Sequence, residues 1–233
     1  QLAVMGKLVP QDPNDEKSRW PKYRLEEVAE ARLGTMLDKQ KNVGVATPYL
    51  RNINVRWFDF DLSDLREMKV KHSELDEITV QCGDVLICEG GEPGRCAVWN
   101  REDRMVFQKA IHRVRVDKEK LFPTWLVYCI RAASNSGELE ALFTGSTIKH
   151  LTGVKLGKFE LPIPSKTEQE ETIRELENLL STCDRLRNTI NLARHQLDVV
   201  SKVLAAPPSN VMPEEPISIL SRRPEQTKHA MLS

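Results

Sequence analysis

The sequence predicts an α+β protein: a mixed, mostly antiparallel β domain followed by one long α-helix able to form a coiled coil. Three observations lead there. Between Trp20 and Pro164 apolar residues recur mostly with period two, interrupted by turns rich in glycine and proline. From Ser165 to Leu204 glycine and proline are absent and apolar residues recur at steps of three and four. After that stretch Pro207, Pro208, Pro213, Pro216 and Pro224 stand among polar residues, a composition that builds no packed core.

The elements follow in order. Leu2-Ala3-Val4-Met5, closed by Gly6, reads as a helix end with its glycine cap. The Pro, Asp and Asn residues of Val9 to Glu16 mark a linker. Tyr49 to Phe60 is expected as a strand with Asn52 and Asn54 on one face and Ile53, Val55 and Trp57 on the other. Within Ile78 to Glu89, Val85-Leu86-Ile87-Cys88 is a short apolar run of the buried-strand type. Gly90-Gly91-Glu92-Pro93-Gly94 reads as a tight turn leading to a strand at Cys96 to Trp99. Val106 to Val116 alternates, with Val106, Ala110, His112, Val114 and Val116 on one face and Lys109, Ile111, Arg113 and Arg115 on the other. After Pro123 the spacing turns helical at Trp125, Cys129 and Ala132, then Leu139, Leu142 and Phe143. Lys158 to Pro164 returns to a short strand. These boundaries divide the chain into residues 1–19, a linker carrying the end of a preceding helix; 20–164, the mixed domain; 165–206, the long helix; and 207–233, a flexible tail.

For the long helix, Thr167 and Glu170 match a capping box, and Glu168, Glu170 and Glu171 set negative charge at the positive end of the helix dipole. Its stripe comprises Ile173, Leu176, Leu180, Cys183, Leu186, Ile190, Ala193, Leu197, Val200 and Leu204, with one short step near Cys183, the spacing of a stammer. At 1.5 Å per residue the helix measures roughly 55 Å. Burying each Leu or Ile is worth about 1.5–3 kcal/mol, so such a seam calls for cover. The mixed domain can supply it, or a second long helix, from another copy or from a preceding half, can do so. The stub at Leu2 to Met5 is too short, and the length of the seam favours the second helix.

Lys plus Arg and Asp plus Glu both number 34, for a formal net charge of zero, which argues against an RNA-coating tail or a polybasic membrane arm. With 40 % hydrophobic and 29 % charged residues the chain reads as globular. No apolar run approaches the ~18–20 residues that cross a bilayer, so no membrane partner is expected. Cys82, Cys88, Cys96, Cys129 and Cys183 lack C-x-x-C spacing and read as reduced residues of a cytoplasmic protein. The chain opens on Gln1, so a segment ahead of it is expected.

Zero net charge hides local sorting. Lys39 to Phe58 carries Lys39, Lys41, Arg51 and Arg56 and no acid, whereas Asp59 to Glu92 holds ten acidic residues against three basic ones. Arg95 to Arg115 is again basic, and Thr144 to Lys158 has Lys149, Lys155 and Lys158 with His150 and no acid. Lys and Arg suit phosphates, and Arg, Asn and Gln suit base edges. These windows make Tyr49, Arg51, Asn52, Asn54, Arg56, Gln108, Lys109, Arg113, Arg115, Thr147, Lys149 and His150 the candidates for contact with double-stranded DNA. The alternative is ordinary solvated loops. Catalytic signals are weak. The glycine turn lacks the G-K-[ST] of a phosphate loop, the histidines are unpaired, no nucleophile elbow occurs, and the N-P-P-[YFW] tetrad of base methylation is absent. Neither catalytic residue, metal nor cofactor is expected.

Three stretches together resemble the specificity subunits of type I restriction–modification systems. Gly6-Lys7-Leu8-Val9-Pro10-Gln11-Asp12-Pro13-Asn14-Asp15-Glu16 resembles their linker, and Gln81-Cys82-Gly83-Asp84-Val85-Leu86-Ile87 a core strand of their target recognition domains. Gly145-Ser146-Thr147, then Leu161-Pro162-Ile163-Pro164 and Glu168-Gln169-Glu170-Glu171-Thr172-Ile173, resembles the exit of such a domain into its long helix. The resemblance implies that residues 20–164 are a target recognition domain reading one half of a bipartite DNA site. It also implies that the helix recruits methyltransferase subunits and that a restriction and translocase subunit joins the complex. Such subunits hold two recognition domains apart with two antiparallel helices. This chain has one of each, so it is expected to be either the second half of a larger subunit or a half that pairs with itself, and a self-paired half would read a palindromic split site. Two alternatives stay open: the recognition region of a fused restriction–methylation enzyme, and a coiled-coil module for protein–protein interaction.

Overall fold

The computed structural model describes residues 1–8, 20–36 and 43–205. The linker Val9 to Glu16, the basic Lys39 and Lys41 and the tail 207–233 lie outside the described residues. The chain divides into two compact units, Gln1–Cys183 and Asp184–Ser233.

In the first unit a 3-10 turn, Ala3–Met5, ends on Gly6, whose left-handed backbone (φ 69°) closes it. There follow β1 (Lys22–Arg24), α1 (Leu25–Val28), β2 (Ala29–Leu33), β3 (Val45–Leu50), a 3-10 turn at Asn52–Asn54, β4 (Arg66–Val70) and α2 (His72–Ile78). Then come β5 (Val85–Cys88), β6 (Cys96–Val98), β7 (Val106–Phe107), β8 (Ile111–Val116), α3 (Pro123–Ser136), a 3-10 turn at Glu138–Leu142, α4 (Gly153–Gly157), β9 (Glu160–Pro162) and α5 (Lys166–Ala205).

The central sheet is antiparallel, in the order β2-β8-β5-β6. A second sheet, β4-β3-β7, pairs β3 with β4 antiparallel and with β7 parallel, and β1 pairs β9 antiparallel. The apolar run of β5 has a simple cause: both its faces are covered. Val85 and Ile87 join one core with Val114, Trp125, Leu126, Ile130 and Leu161. Leu86 and Cys88 join the other with Leu50, Met68, Trp99, Phe107 and Ile111. The mixed, mostly antiparallel α+β architecture is thus the one its periodicity predicts.

Two expected strands are corrected: of Tyr49 to Phe60 only Tyr49 and Leu50 lie in a strand, the end of β3, and Val106 to Val116 is broken in two. The chain leaves β3 at Leu50 because Asn54 offers the backbone another arrangement. Its Oδ1 accepts the Arg51 N–H at 2.9 Å, and its Nδ2 donates to the carbonyls of Asp61 and Asp64 at 2.9 and 3.2 Å. The stretch Val106 to Val116 is split into β7 and β8 by a turn in which Ile111 N–H donates to Gln108 C=O at 3.1 Å.

The start of α5 also differs from expectation. The capping box forms two residues earlier than the predicted Thr167 and Glu170. Ser165 Oγ accepts the Glu168 N–H at 3.3 Å, and Glu168 Oε2 accepts the Ser165 N–H at 2.9 Å. One turn on, buried Gln169 donates to the carbonyls of Lys120 and Pro164 and accepts the Phe122 N–H, at 2.8, 3.0 and 2.9 Å. Lys166 Nζ sits 3.2 Å from the centre of the Phe122 ring. Of the predicted stripe, Ile173 packs against the core of the mixed domain. Leu180, Leu186, Ile190, Leu197, Val200 and Leu204 are exposed, with Leu179, Leu192 and Val199 exposed beside them, and Cys183 and Ala193 are exposed too. Leu176 is half-buried. No described helix is long and apolar enough to cross a membrane.

Candidate nucleic-acid interface

One end of the central sheet gathers four turns. β5 finishes at Cys88 opposite Ile111, the first residue of β8. Just beyond, Glu89 N–H donates to Ala110 C=O at 2.8 Å, which joins the Glu89–Arg95 turn to the Gln108–Ala110 turn. Gln108 N–H reaches Leu50 C=O at 3.1 Å and so ties in the end of β3, while Lys109 N–H reaches Thr35 C=O at 2.9 Å just past β2. The Thr144–His150 loop arrives from the other side, with Leu151 N–H donating to Glu89 C=O at 2.8 Å.

Side chains lock the turns together. Asn52 Nδ2 donates to Gly90 C=O at 2.9 Å, and Arg95 Nη2 donates to Asn52 C=O at 2.9 Å. A Cβ at position 90 would lie 3.1 Å from His150 Nδ1, so a larger residue there requires the His150 ring to shift by a few tenths of an ångström. Glu92 accepts from both Arg95 (2.9 Å) and Trp57 Nε1 (2.6 Å), and the Arg131 guanidinium lies 4.5 Å from the centre of the Trp57 ring. The segment after Asn54 is thereby clamped over the glycine turn.

Of the predicted contact residues, this rim brings together Arg51, Asn52, Gln108, Lys109, Thr147, Lys149 and His150. Lys109, Thr147 and Lys149 are exposed, and no ion pair among the described residues neutralises either lysine. Arg51 is engaged with Asp64 at 2.7 Å, and that hydrogen bond holds the Asp64 carboxyl below its ordinary pKa. Four rim atoms, Arg51 Nε, Asn52 Oδ1, Arg95 Nε and Gln108 Oε1, are buried without a hydrogen-bond partner among the described residues. A buried polar atom left so costs about 1–3 kcal/mol. The Arg51, Asn52 and Arg95 side chains bind within the rim through their other polar atoms.

The remaining predicted residues lie elsewhere. Tyr49 and Asn54 are buried, the first in a core and the second in the loop framework described above. Arg56 is paired with Asp61 at 3.2 Å. Arg113, only 3 % exposed, donates to the carbonyls of Glu77 and Thr79 at 2.8 and 3.1 Å and lies over the Phe107 ring. Burial depresses the pKa of its guanidinium. Arg115 bonds both oxygens of buried Asp84, at 2.8 and 3.2 Å, near the opposite end of the sheet. These arginines join α2 and the start of β5 to β8. Alternation alone could not separate them from solvent-facing residues, because both faces of the sheet are covered. Arg95 is the rim residue that alternation missed. Its signal was a lone cation directly after the glycine turn.

A family model described as the type I restriction modification DNA specificity domain matches residues 17–193. The EcoKI specificity subunit of Escherichia coli (strain K12) is 23 % identical over 212 residues, covering 88 % of this chain and 46 % of that protein. A chain from a structural study of complex assembly and conformational transition in the type I R-M system has a TM-score of 0.63 at 17 % identity, over 87 % of this chain and 49 % of that one. The HsdS subunit of Thermoanaerobacter tengcongensis has a TM-score of 0.57 at 16 % identity, over 85 % and 48 %. At these identities the structural likeness is one of fold. The chain spans about half the length of the relatives it matches.

Proposed function

Because the chain belongs to the type I restriction modification DNA specificity family, we propose that it is the DNA-reading component of such a complex, recognising one half of a bipartite site. The observation that carries this reading is the rim, where four turns meet with two unneutralised lysines and a set of incompletely bonded polar groups. Lys109 and Lys149 take the phosphates and set register. Thr147 faces base edges, where a Thr methyl matches thymine, while Asn52 and Gln108, with His150, hold the turns that set its position.

In this reading the chain catalyses nothing itself and needs no cofactor. It acts in the cytoplasm by recruiting methyltransferase subunits, and a restriction and translocase subunit joins them. The exposed apolar residues of α5 mate with a second long helix, from another copy or from a companion half. If the mate is a second copy, the site is a split palindrome.

The test is duplex DNA binding by the full chain co-purified with its methyltransferase subunits. Specific binding that weakens about 10- to 100-fold in Asn52→Ala or Gln108→Ala supports the reading. DNA retention that ignores both substitutions and the salt concentration removes it. The exposed apolar stripe alone favours a second reading, a coiled-coil module that binds only protein, and salt-independent behaviour without DNA retention would select it.

A further inference from the structure

We propose that His112 is a positioning residue for DNA reading, setting the Thr144–His150 loop on the rim through the backbone of Leu151. The inference rests on the DNA-reading function proposed above and assigns the geometry of one of its loops to a buried side chain.

Both polar groups of the Leu151 backbone are held by the central sheet. Its N–H donates to Glu89 C=O at 2.8 Å, and its C=O lies 2.8 Å from His112 Nε2. A carbonyl can only accept, so Nε2 carries the proton in this pair. Burial pushes the His112 pKa down, which disfavours the charged ring. The ring is 1 % exposed and points from β8 to the root of the loop, so it touches no nucleic acid itself.

From that root the loop is closed on itself. Thr144 and His150 exchange backbone hydrogen bonds of 2.8 and 2.9 Å, and Thr144 Oγ1 adds a third to His150 C=O at 3.2 Å. At the tip Gly145 has φ 91°, and a Cβ there would lie 2.2 Å from Ile148 C=O. The loop is therefore a stiff finger. It presents Ser146, Thr147, Ile148 and Lys149 to solvent, with Ile148 65 % exposed. In a rigid finger a change at the root moves the tip, so the donor at Leu151 governs where Thr147 and Lys149 meet DNA.

The experiment uses the full chain in complex with its methyltransferase subunits and a duplex carrying the site identified from the bases that complex methylates. His112→Leu, which removes the donor, is expected to lower affinity at least about tenfold and to abolish the further loss caused by Lys149→Ala. His112→Gln, whose amide restores a donor, is expected to recover most of the affinity. Unchanged affinity in His112→Leu overturns the proposal. So do additive losses with Lys149→Ala, failure of His112→Gln to recover, and a His112→Leu chain that no longer folds, since that side chain would then serve the whole domain. If the wild-type complex itself shows no sequence preference, it is the DNA-reading function that fails.

Discussion

His112 Nε2 stands 2.8 Å from the carbonyl oxygen of Leu151, a hydrogen bond that joins β8 to the start of the segment entering α4. Burial of that ring gives the fold an acid sensitivity, which the hydrogen bond to Leu151 reduces. The native pKa of His112 lies below its ordinary 6.5, chiefly through desolvation and against the opposing pull of the Leu151 carbonyl and Glu89. Below pH 6.5 the unfolded chain takes up a proton that the native ring resists. Stability is therefore full above that pH and declines as pH falls toward the lowered native value. Urea midpoints measured between pH 7.5 and 5 are expected to fall, and to fall less in His112→Gln.

The cap of α5 has a cost that can be measured. Ser165 bonds Glu168 through both its N–H and its hydroxyl, the latter at 2.7 Å. Ser165→Ala is expected to lose about 1 kcal/mol in chemical denaturation. Thr167→Ala, which the sequence pattern singled out, is expected to lose less.

Thiol accessibility separates the cysteines. Cys82 and Cys183 are exposed, while Cys88, Cys96 and Cys129 are buried. Burial pushes the Cys88 thiol up to about 11 and raises Cys96 and Cys129 as well. A maleimide at pH 7 is expected to modify Cys82 in the native chain, Cys183 as well where no second helix covers α5, and all five in denaturant, as read by mass spectrometry.

Phosphate contact by the exposed lysines has its own signature. Lys109→Ala and Lys149→Ala are each expected to weaken duplex binding across sequences and to reduce the slope of log affinity against log salt by about 1. A loss confined to one sequence would make the residue a base reader.

The readable parts of the fold were those where one physical signal dominated. Val85–Cys88 with its glycine turn could only be a buried strand and hairpin, and the glycine-free stretch after Pro164 could only be a long helix. The pairing of β1 with β9 joins Tyr23 to Leu161, a long-range choice that no local pattern encodes. The short α2, His72–Ile78, carries too few apolar residues to stand out. Asn52, Gln108, Lys109, Thr147, Lys149 and His150 meet on the rim, and the sequence already groups these charged and amide residues into windows. Arg113 and Arg115 looked equivalent to them by charge and alternation. They differ because Thr79, Glu77 and Asp84 approach from elsewhere in the chain to bind them.

The proposed function is that the rim of the mixed domain reads DNA for a methyltransferase bound to the same complex. Its most direct test is to co-express the chain with its methyltransferase subunits and map every methylated base in the host DNA. The account predicts methylation at one recurring split sequence, whose half-site relaxes or changes when Asn52 and Thr147 are both replaced by alanine. Methylation at positions sharing no sequence, or a recurring site untouched by that double substitution, would contradict it.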